Sequence, residues 1–150
     1  MSKPMDDFIT QYTARIRNMI SQHGYAIQAV FGDRVHSPYS YTVGLHHQYG
    51  YELVVAGLAP PVAGQIIKTL VDRFAESAGP DPDIPLAEVV GGGYRMSMRR
   101  VHSLEPFAML RAVYGPQARA TYWQALWPDR FGNLPTDPAC TLTPGTQSLL

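Results

Sequence analysis

The stretch ELVVAGLAPP, residues 52–61, constrains this chain most. Leu53, Val54, Val55 and Ala56 are apolar without alternation. A strand made of them must bury both faces, as a central strand covered by helices does. Gly57 and Pro60–Pro61 then close the strand and open a helix. Proline fits the first helical turn because its missing N–H would have had no intrahelical partner there. Val62, Ile66, Ile67, Leu70, Val71 and Phe74 follow at helical spacing and form one apolar stripe, which Gly79–Pro80 ends.

The remaining elements fall around this unit. Phe8, Ile9, Tyr12, Ile16, Met19 and Ile20 share a helical face, predicting an N-terminal helix over about 5–22 with Gly24 at its end. YAIQAVFGD, residues 25–33, alternates like a strand. In YSYTVGL, residues 39–45, Tyr39, Tyr41, Val43 and Leu45 point one way and Ser40, Thr42 and Gly44 the other. HHQYGY, residues 46–51, reads as a short polar loop that permits an antiparallel hairpin. LAEVV, 86–90, is a short strand, and GGGYRMSMRRVH, 91–102, a glycine turn into a longer one. Those glycines precede a strand rather than a helix, so phosphate-loop geometry is absent. Ser103 and Pro106 open a helix that Gly115 ends, and a last strand is expected near Thr121–Trp127 before an irregular tail. The order predicts an α+β fold: a mainly antiparallel sheet of about five or six strands with about three helices packed on it, in one domain over 1–150.

Composition narrows the function classes. Lys plus Arg and Asp plus Glu each number 12, so the net charge is zero. Binding to a nucleic-acid backbone needs uncompensated positive charge, and that class is disfavoured. Cys140 is alone, which excludes an internal disulfide and a cysteine zinc cluster. MSKPMDDFITQ lacks the pattern of a signal peptide, and no apolar run is long enough to cross a bilayer. A soluble cytoplasmic protein is expected, with no membrane partner.

Three stretches carry a family resemblance. HGYAIQAVFGD leads into YSYTVGL; ELVVAGLAPPVAGQIIKTLVDRF follows; QALWPDRFGNLPTDP comes near the end. In this order the chain resembles domain-of-unknown-function family 4262, a bacterial family, over a core of about 23–139. The patterns matched are "G-W-x-V…Y-T-x-G-L", "P-E-L-V-x-x-G-L" and "Q-x-V-W-P-D-x-x-G-x-x-P-W-D-P". Two positions depart: Gly50–Tyr51 stand where the family often has His-Pro, and Thr136 where it has tryptophan. The resemblance implies the fold and order of elements and draws attention to Tyr41, Thr42, Gly44, Glu52, Trp127, Pro128 and Asp129. It implies no reaction.

The chemistry-bearing residues leave three functions open. His46 and His47 are neighbours, which on a strand point to opposite faces, so they read as the polar tip of a hairpin rather than a metal site. A metal would need Glu52, His36 or His102 as well, and neither metal nor cofactor is expected. Glu52 is either a general base at a pocket edge or a strand-end carboxylate tied to a loop. Met96 and Met98 face the core, which sets Arg95, Ser97 and Arg99 on the other face. The WPD of residues 127–129 is a packing tryptophan and a turn, since no nucleophilic cysteine loop accompanies it. The first expectation is a ligand-binding module with Tyr39, Tyr41, Glu52, Arg95, Arg99 and Trp127 around a hollow on the helix-free side of the sheet. It would hold a polar or anionic small molecule, a class that includes nucleotide-like ligands. The alternatives are a hydrolase-type enzyme with Glu52 or a histidine as base, marked by a pocket where the two converge, and a protein-interaction or immunity-type module. The tyrosines and methionines are compatible with a homodimer.

Overall fold

The computed structural model describes residues 3–143 and 145–150. In chain order the elements are α1 (Lys3–His23), β1 (Ala26–Val30), β2 (Tyr39–Val43), α2 (Leu45–Tyr49), β3 (Glu52–Ala56), α3 (Pro60–Ala75), β4 (Leu86–Ala87), β5 (Arg95–Val101), α4 (Ala108–Tyr114) and β6 (Tyr122–Leu126). The strands form one sheet in the order β1-β2-β3-β6-β5-β4. The fold is α+β, as expected, but the sheet is mixed. β3 and β6 run parallel, with Glu52 opposite Tyr122, while the other four pairings are antiparallel. A parallel pair needs a long crossover, and the chain supplies it between residues 57 and 121.

β3 is the centre of the molecule. All five of its residues are buried. Leu53 and Val55 join Ile67, Leu70 and Phe74 of α3 in one apolar cluster, with Met96, Met98 and Ala125. Val54 joins Tyr41, Val43, Tyr122, Phe107 and Leu110 in a second. Adjacent strand residues point to opposite faces, so α3 covers one face and α4 with the segment before it covers the other. Burial of each such side chain contributes about 1.5–3 kcal/mol. The expected open face is therefore corrected: the sheet has helical cover on both sides, as the unbroken apolar run of β3 requires.

Two local expectations also change. α1 forms, but only part of its stripe is used: Thr13 and Ile16 are buried, whereas Phe8 is 63% exposed and Ile9 and Met19 are exposed too. The helix docks through its later turns, where the Tyr12 hydroxyl donates to Gln28 Oε1 at 2.9 Å and Arg17 donates to the Val113 carbonyl at 3.1 Å. The HHQYGY loop is instead a one-turn helix, α2, between the antiparallel β2 and β3. Leu45 anchors it in the core, and Gly44 and Gly50, both left-handed, bend the chain into and out of it.

Candidate functional site

The site begins with a carboxylate that has no access to water. Glu52 is the first residue of β3 and is fully buried. Its Oε2 accepts from the Gly44 N–H at 2.8 Å and the His46 N–H at 3.3 Å. Its Oε1 accepts from the Thr42 hydroxyl at 2.7 Å and the Leu45 N–H at 3.1 Å. His46 Nδ1 completes the set, 2.5 Å from Oε2. An ionised carboxylate is acceptor-only, with about four lone-pair sites, and these five partners crowd all of them, three on Oε2 and two on Oε1. The Thr42 hydroxyl in turn accepts the Leu53 N–H at 2.8 Å. Gly44 has φ 109°, and a Cβ there would lie 3.0 Å from the Ile20 side chain and 3.2 Å from the Gly24 carbonyl. Thr42, Gly44 and Glu52 of the recurring pattern thus serve one purpose: folding the backbone N–H groups of α2 around a buried charge.

His46 carries that charge's influence to the surface. A carboxylate on Nδ1 holds the proton there, which leaves the Nε2 lone pair free. The Tyr51 hydroxyl is the one buried side-chain polar atom without a partner among the described residues. The unpartnered Nε2 of His46 is therefore within reach of solvent. Its ring is clamped by His47 at 4.2 Å and by the edge of Tyr114 at 5.0 Å between centroids. Burial, and then the charge of Glu52, raise the Tyr114 hydroxyl above the ordinary tyrosine range.

A cleft of about 430 Å³ opens beside His46, lined also by Arg100, His102, Leu104, Arg119 and Thr121 among others. No acidic side chain lines it. Neither Arg100 nor Arg119 makes a salt bridge among the described residues. A neutral protein thus carries a concave patch of two uncompensated guanidinium groups and two imidazoles. Among the described residues no group of three or more His, Cys, Asp or Glu is placed to hold a metal ion.

The six residues expected to share one hollow do not do so. Tyr41 is in the core, 2% exposed; its hydroxyl accepts the Met109 N–H at 2.9 Å, and burial pushes it up to about 12. Tyr39 stacks on Tyr41 and donates to the Pro106 carbonyl at 2.7 Å. Leu150 packs against the same cluster, and Arg99 donates to the Leu150 carbonyl at 2.6 Å. Tyr39, Tyr41 and Arg99 thus adjoin a place that the chain's own tail fills. Arg95 is exposed at the sheet edge opposite Ala87. Trp127 donates from Nε1 to the Ala56 carbonyl at 2.7 Å and lines an apolar groove of about 500 Å³ with Leu58, Val62, Ile66 and Tyr94. Glu52 alone of the six belongs to the His46 cleft, and it does so from behind.

Asp129 organises the other distinctive stretch. It accepts from the N–H groups of Phe131, Asn133 and Thr141 and from the Thr141 hydroxyl, all at 2.7–2.9 Å. Burial alone would raise its carboxyl; these donors outweigh that and hold it at about 2. Its role is to close the loop after β6, as the packing-and-turn reading expects.

A family model described as a domain of unknown function, DUF4262, matches residues 19–141. The chain belongs to that family. No curated protein and no solved structure matches it. In this DUF4262 chain the matched residues contain both buried carboxylates, the side-chain and backbone partners given above for each, and the whole His46 cleft. Arg100 and Arg119 line this cleft without having been singled out in the sequence, and His102 was considered there only as a metal ligand. Of these, Arg100 and His102 belong to the RRVH run at the end of β5, whereas Arg119 comes from the segment before β6.

Proposed function

We propose that this DUF4262 chain is a hydrolase-type enzyme for a small anionic molecule, with His46 as the general base. The observation that carries this reading is the Glu52–His46 bond behind a cleft whose charged lining is entirely cationic. A histidine that lines the cleft, with a carboxylate bonded to it from behind, supports the enzyme class. Arg100 and Arg119 bind the anion, and Glu52 orients the imidazole without touching the substrate. His46 Nε2 takes a proton from water as the water oxygen bonds to the electrophilic centre. The bond to the leaving group breaks with its electron pair, and the leaving group receives the proton from His46. The lone free thiol of Cys140 suits a reducing cytoplasm, the setting this reading adopts. No helix among the described residues is long and apolar enough to cross a membrane.

The test is a turnover screen on phosphate, sulfate and carboxylate esters. A hit must fall by about a hundredfold in His46→Gln, in line with loss of a general base. Turnover unchanged in His46→Gln would remove the proposal.

A second reading, a protein-interaction role, rests on α1. Met5, Phe8 and Ile9 are exposed together in the first turns of that helix, outside the residues matched by the family model. Such a patch fits a homodimer. Sedimentation of wild type and Phe8→Ser decides it: a dimer lost in the variant supports the role, and a monomer in both removes it.

A further inference from the structure

Residues 145–150 belong to no helix or strand, yet they are held at several points by side chains far away in sequence. Gln124 of β6 is fully buried; its Oε1 accepts the Leu150 N–H at 3.0 Å and its Nε2 donates to the Ser148 carbonyl at 2.7 Å. Ser37 Oγ accepts the Ser148 N–H at 3.0 Å and donates to the Ser148 hydroxyl at 2.8 Å. Arg99 takes the Leu150 carbonyl. In the opposite sense, the Gln147 side chain reads the backbone of Trp127, accepting its N–H at 2.9 Å and donating to its carbonyl at 2.8 Å. Leu150 supplies an apolar anchor, packed against the core cluster of Tyr41, Val54, Phe107 and Tyr122. Gly57 makes room: a Cβ there would lie 2.4 Å from the Thr146 carbonyl oxygen.

These contacts have the form of peptide recognition, with fixed side chains pairing to backbone N–H and C=O and one apolar side chain, Leu150, packed on the core. The bonds made by the Gln124 amide all go to tail backbone atoms, so an empty groove would leave a buried amide unpaired. The walls, Ser37, Gly57, Arg99, Gln124 and Trp127, lie inside the family-matched residues, whereas the occupant lies beyond residue 141. Separate walls and occupant are what a binding groove with a resident ligand has.

We propose that this groove is a binding site for an extended peptide of the pattern glutamine–serine–any residue–leucine. The chain's own Gln147–Leu150 fills it in cis. Tethering gives the resident segment a high effective concentration, so it sets the affinity a partner peptide needs to displace it. The site is independent of the His46 cleft.

The test uses the full chain and a labelled peptide with the sequence of residues 145–150. The double variant Gln147→Ala/Leu150→Ala weakens the resident segment and leaves the walls intact. It should bind the peptide about tenfold or more tightly than wild type, because the cis competitor is lost. A peptide with the same two changes should not bind, and adding Arg99→Ala to the double variant should weaken binding. No saturable binding to a folded double variant, or equal binding to both chains, overturns the proposal. Hydrogen exchange on the unaltered chain gives an independent reading. The Ser148 and Leu150 amides should exchange well before the β6 amides, as a segment that leaves its groove requires. Exchange of both sets together, at global unfolding only, overturns it too.

Discussion

His46 Nδ1 lies 2.5 Å from Glu52 Oε2, joining a partly exposed imidazole to a carboxylate with no solvent access. That bond makes Glu52 both a fold-forming and a site-forming residue. The backbone N–H groups that donate to Glu52 also hold α2 in place, and α2 carries the histidine.

Glu52→Gln should therefore cost more than a surface change. An amide puts an NH₂ where donors already converge, so at least one N–H of residues 44–46 loses its acceptor. Destabilisation of about 2–4 kcal/mol is expected, the range for hydrogen bonds to a buried charge. Urea unfolding measures it; a loss within experimental error would show that the donors are satisfied elsewhere.

Thr42 separates hydroxyl from shape. Its Oγ1 donates to Glu52 and accepts from Leu53 N–H, so Thr42→Val orphans a buried donor and removes one support of the carboxylate. A loss of about 1–3 kcal/mol is expected, with Thr42→Ser recovering most of it. Equal stability of the Val and Ser variants would contradict the assignment.

Asp129 should govern acid sensitivity. Its folded carboxyl titrates at about 2 against an ordinary 3.8, so its contribution is complete above the ordinary value and is lost as pH falls toward 2. Asp129→Asn should lower stability at pH 7 and flatten the part of the stability profile below pH 4. A variant with the wild-type acid profile would rule this out.

The cleft's charge is testable without a substrate. Inorganic phosphate should raise the thermal midpoint of wild type, and Arg100→Ala/Arg119→Ala should abolish the rise while keeping the fold, since both side chains are exposed. An equal rise in wild type and variant would place the anion elsewhere.

Much of the fold was legible because β3 breaks the alternation rule. Its apolar run demanded two covered faces, and α3 and α4 provide them. The expected hollow failed for the same reason. Tyr41 shares with Val43 a face that Phe107 and Leu110 seal, so Tyr41 became core. The His46–Glu52 pair was hidden by local reading. HHQYGY carries turn residues, and only the donors gathered by Glu52 from the other end of the segment make it a helix. A carboxylate held by backbone N–H groups leaves no periodicity in sequence. Arg99 and Arg100 look alike in the chain, but strand alternation sends Arg99 toward the tail and Arg100 toward the cleft.

The most direct measurement is a long-range ¹H–¹⁵N spectrum of the histidine rings, with and without inorganic phosphate. Neutral His46 should hold its proton on Nδ1, leave Nε2 bare, and shift at Nε2 when phosphate enters the cleft. A His46 protonated on Nε2, or one indifferent to phosphate while the protein is folded, would contradict the role given to His46.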